Sequence, residues 1–247
     1  MTQPCDPTNP PRIIAIETSS RQGSVAVGVG ATLLGERCFP TQTDHARDLL
    51  PAIDALCLEQ GWKPAELDEC FVSIGPGSFT GLRVAVTLAR AWAFGLGLRV
   101  VSVPTLAVIA ANCDDLPMPP RRLAVILDAK RKQVFCSVFE WTPNGYVALM
   151  SPTLMDPIAL LTGEMRPDAI IGEGVGFHRE SVLASGVPSV SETLWLPRAS
   201  CVYRLGQALS EGGVFTEPRR LVPLYIRRPE AEELWEARRA GTKTSSV

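Results

Sequence analysis

The chain has 247 residues, 46% of them hydrophobic and 20% charged, which fits a soluble globular protein of one large unit or two small ones. A formal net charge of −2 excludes a global pull toward nucleic acid, so any RNA contact has to be local or made through a partner. The seven cysteines are odd in number and include no Cys-x-x-Cys pair, which argues against a zinc site or a disulfide framework and for a reducing, cytoplasmic location.

Residues 1–12 are polar and proline-rich, lack the apolar centre of a secretory signal, and read as a disordered tail. Arg12–Ile16 has the pattern of a buried strand, ending at Glu17-Thr-Ser-Ser-Arg-Gln-Gly23. Ser24–Val29 alternates with period two, as a hairpin partner would, and 31–38 can add a third strand. A helix over about 44–60 carries Ala46, Leu49, Leu50, Ile53, Leu56 and Cys57 on one face, with Pro51 predicting a kink or a restart. Phe71–Ile74 reads as a short buried strand and Leu82–Leu96 as a helix. Between them lies Gly75-Pro-Gly-Ser-Phe-Thr-Gly81, where Ser78 or Thr80 can cap the helix. This loop is neither a Walker A loop, lacking the Lys-Ser/Thr, nor Gly-x-Gly-x-x-Gly, having Thr80 at the third position. Unpaired amides at Gly75, Gly77, Ser78 and Thr80 could hold an anion, although the spacing alone favours a tight structural turn. The apolar run 84–101 is broken by Arg90 and Arg99, so it is a buried helix and strand and not a membrane span.

A strand at 99–103 and a helix after Pro104 lead to Asn112–Arg122, which has the composition of a connection between units. The opening pattern then returns. Ala124-Val-Ile-Leu-Asp128 matches Ile13–Glu17, and Gln133 and Val138 match Gln22 and Val27 at the same offset. Two copies of one strand-led domain are therefore expected, at 13–111 and 112–222, with 223–247 able to pack back on the first. A third strand at 146–151, a buried strand at 169–171, helices at 176–184 and 199–210, an extended 223–227 and a helix at 230–239 complete the expectation.

Two carboxylates ending equivalent strands, Glu17 and Asp128, stand where a nucleotide clamp would hold magnesium, yet residues at strand ends are more often turn-forming. The first turn is built of small residues that let phosphate approach the backbone. The second, Ala129-Lys-Arg-Lys-Gln133, has no glycine, so ATP affinity is expected to be weak or absent. His45 and His178 fall in different units, and no cysteine carries a nucleophile motif, so neither a metal site nor covalent catalysis is expected. On the 82–96 helix, Val84, Ala85, Leu88, Ala91, Trp92 and Gly95 should face the sheet. The opposite face, Arg83, Val86, Thr87, Arg90, Ala93, Phe94 and Gly97, suits contact with another protein or cover by the rest of the chain. Lys130-Arg131-Lys132 could contact tRNA directly, a reading that the negative net charge disfavours against a solvated loop.

Five segments, in order, resemble the TsaB (YeaZ-like) family: Ile14–Ser20, His45 with Leu49–Ile53, Gly75–Arg83, Asp128–Arg131 and Pro223–Arg227. The likeness runs from about residue 12 to about 228, and the nine residues from Gly75 are its specific part. It implies an α/β fold of two related actin/Hsp70/sugar-kinase-like domains, ribonuclease H-like in each half. It also implies a non-catalytic subunit of the machinery that makes N6-threonylcarbamoyladenosine in tRNA. Such a subunit pairs with the catalytic TsaD and recruits the ATPase TsaE. It touches tRNA only through the complex, carries no cofactor or metal of its own, and is compatible with a homodimer in isolation. The implied contact is made by the helices near 44–60 and 82–96, which adds Asp54 and Leu58 to the surface above, with Gly75, Gly77, Ser78 and Thr80 at the joint as the anion or nucleotide contact. Glu17 stands where the family usually has aspartate. Some relatives carry a metalloprotease label, which the missing histidine pair contradicts here. The rival reading is a stand-alone ATP-dependent phosphotransferase or ATPase on the same fold.

Overall fold

The computed structural model describes residues 10–40 and 45–227. The proline-rich start, the side chain of His45 and the expected 230–239 helix lie outside the described residues. The fold is α/β, with two five-stranded sheets.

The first sheet begins with three antiparallel strands, β1 (Arg12–Glu17), β2 (Gln22–Val29) and β3 (Thr32–Pro40). Helix α1 (His45–Glu59) follows as one element with Pro51 inside it, on its exposed side. Next come β4 (Glu69–Ser73), α2 (Phe79–Gly95), β5 (Arg99–Val103) and α3 (Thr105–Ala111). β4 pairs parallel to β1 and to β5, giving the order β3-β2-β1-β4-β5. Alternation along β1 divides its side chains between two cores. Ile14 and Ile16 pack with Leu49, Ile53, Leu56, Ala85 and Ala89 of α1 and α2. Ile13 and Ala15 pack on the opposite face.

The second sheet is built from β6 (Arg122–Asp128), β7 (Val134–Thr142), β8 (Gly145–Ala148) and β9 (Thr153–Met155). After α4 (Pro157–Thr162) it is completed by β10 (Ala169–Ile171). Its order is β10-β6-β7-β8, with β9 also on β7. Asp156 caps α4 by accepting from the amides of Ile158 and Ala159. The helix expected at 176–184 is two pieces, α5 (Gly174–Phe177) and α6 (Arg179–Ser185), meeting at His178.

The two sheets repeat one hydrogen-bonded bracket. Asp68 accepts from the Arg12 amide through Oδ2 at 2.8 Å, and its own amide donates to the Arg12 carbonyl. Asp168 does the same with Arg122, at 2.9 Å. This correspondence pairs Arg12 with Arg122, so Glu17 corresponds to Leu127 and Asp128 lies one residue further. β6 is one residue longer than β1, and that extra residue moves Asp128 out of the position the sequence repeat implied.

The last helix, α7 (Ala199–Glu211), was grouped by sequence order with 112–222, but it packs on the first sheet. Ala199, Val202 and Tyr203 join Ile13, Ala15, Ala26 and Phe71 in one core. Tyr203 donates its hydroxyl to the Gly30 carbonyl at 2.7 Å, and the Ala199 amide donates to Ser24 Oγ at 2.9 Å. At the far end Ser210 donates to Glu69, a buried carboxylate that also pairs with Arg99. Glycine makes the docking close: a Cβ on Gly28 would meet the Tyr203 ring, and one on Gly206 the Phe71 ring.

Candidate functional site

The ends of β1 and β4 meet at the glycine loop before α2. Ser78 is the N-cap of α2, accepting from the Gly81 amide at 3.3 Å. The Ser78 amide donates to the Ser19 carbonyl at 2.7 Å, and Thr18 donates its hydroxyl to the Gly81 carbonyl at 2.8 Å. Gly77 permits this seam, because a Cβ there would overlap the Ser19 backbone. The Gly75 amide goes to Thr105 Oγ1 at 3.0 Å. Gly75, Ser78 and Gly81 thus spend their amides inside the protein; the structural turn expected at this spacing is present, and Thr80 is exposed beside it.

Beneath this seam Glu17 is fully buried. Its Oε1 accepts the Ser19 amide at 2.5 Å, and Oε2 has no hydrogen-bond partner. Burial pushes the carboxyl above its usual range, and the hydroxyls of Ser19 and Ser73 offset that only in part. Asp128 is placed differently. It lines the cleft between the sheets, and its Oδ1 lies 3.2 Å from His178 Nε2 and accepts the Lys130 amide at 3.2 Å. The two carboxylates do not form an acid pair around a common space: one is sealed in the first sheet and the other is tied to His178.

The cleft has a volume of about 740 Å³ and is lined by Ser19, Ser20, Gly77, Phe177 and Trp195 among others. Among the described residues, Asp128, Glu173 and Glu192 face it against one cation, Arg21, whose Nε pairs with Glu173 at 3.0 Å across the gap. Burial raises the Glu173 carboxyl while Arg21 pulls it down. A phosphate entering here meets more negative than positive charge. Among the described residues no group of three His, Cys, Asp or Glu could hold a metal ion, and no helix is long and apolar enough to cross a membrane.

Beyond Gly77 and Asp128 opens a second cavity of about 590 Å³, of the opposite character. Phe79, Phe135 and Tyr225 supply rings, and Lys130, Arg131 and Arg227 supply charge. Arg227 donates to the Ala129 carbonyl and to Gln133 Oε1, bracing the β6–β7 turn. Within that turn Lys130, Arg131 and Lys132 have φ of 59°, 51° and 60°, three successive left-handed residues without a glycine. Each costs about 1–2 kcal/mol against a right-handed conformation. Nothing in the residue types signalled it.

The surface expected to meet a partner lies on α1 and α2, side by side over one face of the first sheet. Asp54, Leu58, Arg83, Thr87 and Phe94 are exposed, with Leu58 78% and Phe94 60% accessible, and Arg90 is half-buried. Leu50, counted as inward from sequence, is also exposed. Val86 does not belong to this surface: it is buried with Leu82, Ala85 and Ala89, and Ala93 packs partly against the same core. Conversely Ala91 and Gly95 are exposed. Apolar residues occur all round α2, so periodicity misplaced its inner stripe by about one residue step. Arg83 sits 3.7 Å over the Phe79 ring and donates to the Tyr225 hydroxyl at 3.0 Å, joining this surface to the second cavity.

Residues 40–171 match the family model described as TsaD: tRNA N6-adenosine threonylcarbamoyltransferase. A Bacillus subtilis protein named tRNA threonylcarbamoyladenosine biosynthesis protein TsaB is 30% identical over 90% of this chain and 97% of its own length. Its Escherichia coli namesake is 25% identical over 87% and 94%. Among solved structures, a Pseudomonas aeruginosa protein described as similar to peptidase YEAZ superposes with a TM-score of 0.77 at 25% identity, covering 88% of this chain and 100% of that one.

Proposed function

The chain belongs to the TsaB family, and from that premise we propose that it serves tRNA threonylcarbamoyladenosine biosynthesis as a non-catalytic docking subunit. Its α1–α2 face binds a TsaD-like catalytic subunit and a TsaE-like ATPase joins the pair. The observation that carries this reading is the exposed set Leu50, Leu58 and Phe94 on two adjacent helices, interspersed with Asp54, Arg83 and Thr87. Large apolar side chains grouped with arginine on one surface are what a protein interface uses, and water gains nothing from them. The same surface can pair two copies of the chain when the partner is absent. The acidic cleft and the buried Glu17 favour docking over phosphotransfer, since neither offers phosphate a cationic or amide-lined seat.

The test is the mass in solution of the chain mixed with the TsaD-like protein of the same genome. Leu58→Asp with Phe94→Asp is expected to weaken the heterodimer at least a hundredfold while leaving the melting temperature within a few degrees, both side chains being exposed. An undiminished complex rules the face out. Micromolar Mg-ATP binding by the isolated chain, measured by calorimetry, points to the phosphotransferase instead.

A further inference from the structure

Building on the tRNA-linked reading above, we infer that the left-handed turn Lys130–Lys132 is a contact for RNA phosphates, made by this subunit itself. Three observations converge on it. First, Lys130, Arg131 and Lys132 are all exposed, and Lys130, Arg131 and Arg227 line the 590 Å³ cavity. Among the described residues Asp128 is the one carboxylate in that lining, against Lys130, Arg131 and Arg227, so the local balance is cationic although the whole chain is not. Second, the backbone pays for this display. At three successive positions with φ between 51° and 60°, glycine or asparagine would sit with less strain, yet the chain holds two lysines and an arginine there. Strain kept where a cheaper residue exists marks a position held for what its side chains do. Third, of the rings Phe79, Phe135 and Tyr225 in the cavity wall, Phe79 carries Arg83 and Phe135 packs partly on the core, which leaves the exposed Tyr225 as the ring on which an unpaired base can stack beside the phosphates that the cations grip.

This contact adjoins the docking face without sharing its residues: Arg83 at the edge of that face meets Phe79 and Tyr225 of the cavity wall, while the cations stand on the β6–β7 turn, which Arg227 braces. A polyanion on the turn and a protein on α1–α2 can therefore be held together. The cleft between the sheets, with three carboxylates to one guanidinium, repels the same ligand, which leaves the turn as the cationic side of the joint.

The test uses the full chain with its TsaD-like partner and unmodified tRNA, with binding followed by fluorescence anisotropy between 50 and 200 mM salt. Two triple variants are compared, Lys130→Gln/Arg131→Gln/Lys132→Gln and Lys130→Gly/Arg131→Gly/Lys132→Gly. Both are expected to bind tRNA about tenfold more weakly, with a salt slope shallower by about 2. The glycine variant alone is expected to melt higher than the parent, because it relieves the left-handed backbone. An unchanged affinity and slope in the glutamine variant overturns the inference, as does a loss confined to the glycine variant, which makes shape and not charge the cause. Loss of the heterodimer in place of tRNA affinity also overturns it, making the turn a protein contact. Failure of the parent complex to bind or modify tRNA sinks the functional reading itself. A parent complex that works, beside a glutamine variant that binds equally well, sinks only the phosphate contact.

Discussion

The turns that follow β1 and β6 begin from equivalent strands and end as opposites. After β1, Thr18, Ser19 and Ser20 are buried, and the glycine loop is laid across them with backbone touching backbone. After β6, three cations stand in solvent on a left-handed backbone braced by one arginine from the far end of the described chain. The first turn is packed inside the protein, while the second presents an exposed surface on a strained backbone. A hairpin pair that could clamp a nucleotide needs both turns open and small, and here neither meets both conditions. The comparison teaches that matched places in a repeated fold can be given opposite environments, one packed with buried small residues and one carrying exposed charge.

The sharpest way to break the comparison is Gly77→Ala. The new methyl collides with the Ser19 carbonyl and not with a movable side chain, so a loss of about 3 kcal/mol or more is expected in denaturant melts. A variant as stable as the parent would show that the seam is looser than described. Next in size is Arg227→Ala, which removes two charge-assisted hydrogen bonds from the second turn and is expected to cost about 1–2 kcal/mol. Cleavage by trypsin within 130–132 should quicken while the first turn stays protected; equal protection would mean the turn holds its own shape.

The smallest effect carries a sign. Burial raises the Glu17 carboxyl above its unfolded value, so in the intervening pH range the folded chain holds a proton that the unfolded chain has lost. Stability from the neutral carboxyl is thus fully present below the unfolded pKa and is lost as pH rises toward the folded one. Glu17→Gln should stabilise the protein modestly, more at pH 8 than at pH 4 in thermal melts. The opposite trend would place a cation beside Glu17.

Much of the fold was legible because its strands are near-continuous apolar runs bounded by turn residues: those read at 12–16, 71–74, 99–103 and 124–128 fall on 12–17, 69–73, 99–103 and 122–128. The face of α2 was not, since Ala91 and Phe94 look as buriable as Ala85 and Val86, and only contact with the sheet decides between them. The repeat was visible but one residue out of step, because a longer β6 keeps the apolar pattern while shifting Asp128. The left-handed turn had no signature, as its residues are the ones that conformation disfavours. His178 could be placed only once α5 and α6 brought it to Asp128.

The docking of α7 on β1 and β2 has a consequence for how the polypeptide is born. Ser24 and Ala199 are 175 positions apart, and Tyr203 caps a surface laid down by the earliest residues. At about 5–20 residues per second, a ribosome delivers that lid roughly 10–40 s after the first hairpin has emerged. For that interval Ile13, Ala15 and Phe71 stay wet on one side, and nascent-chain chaperones have their window on this molecule there.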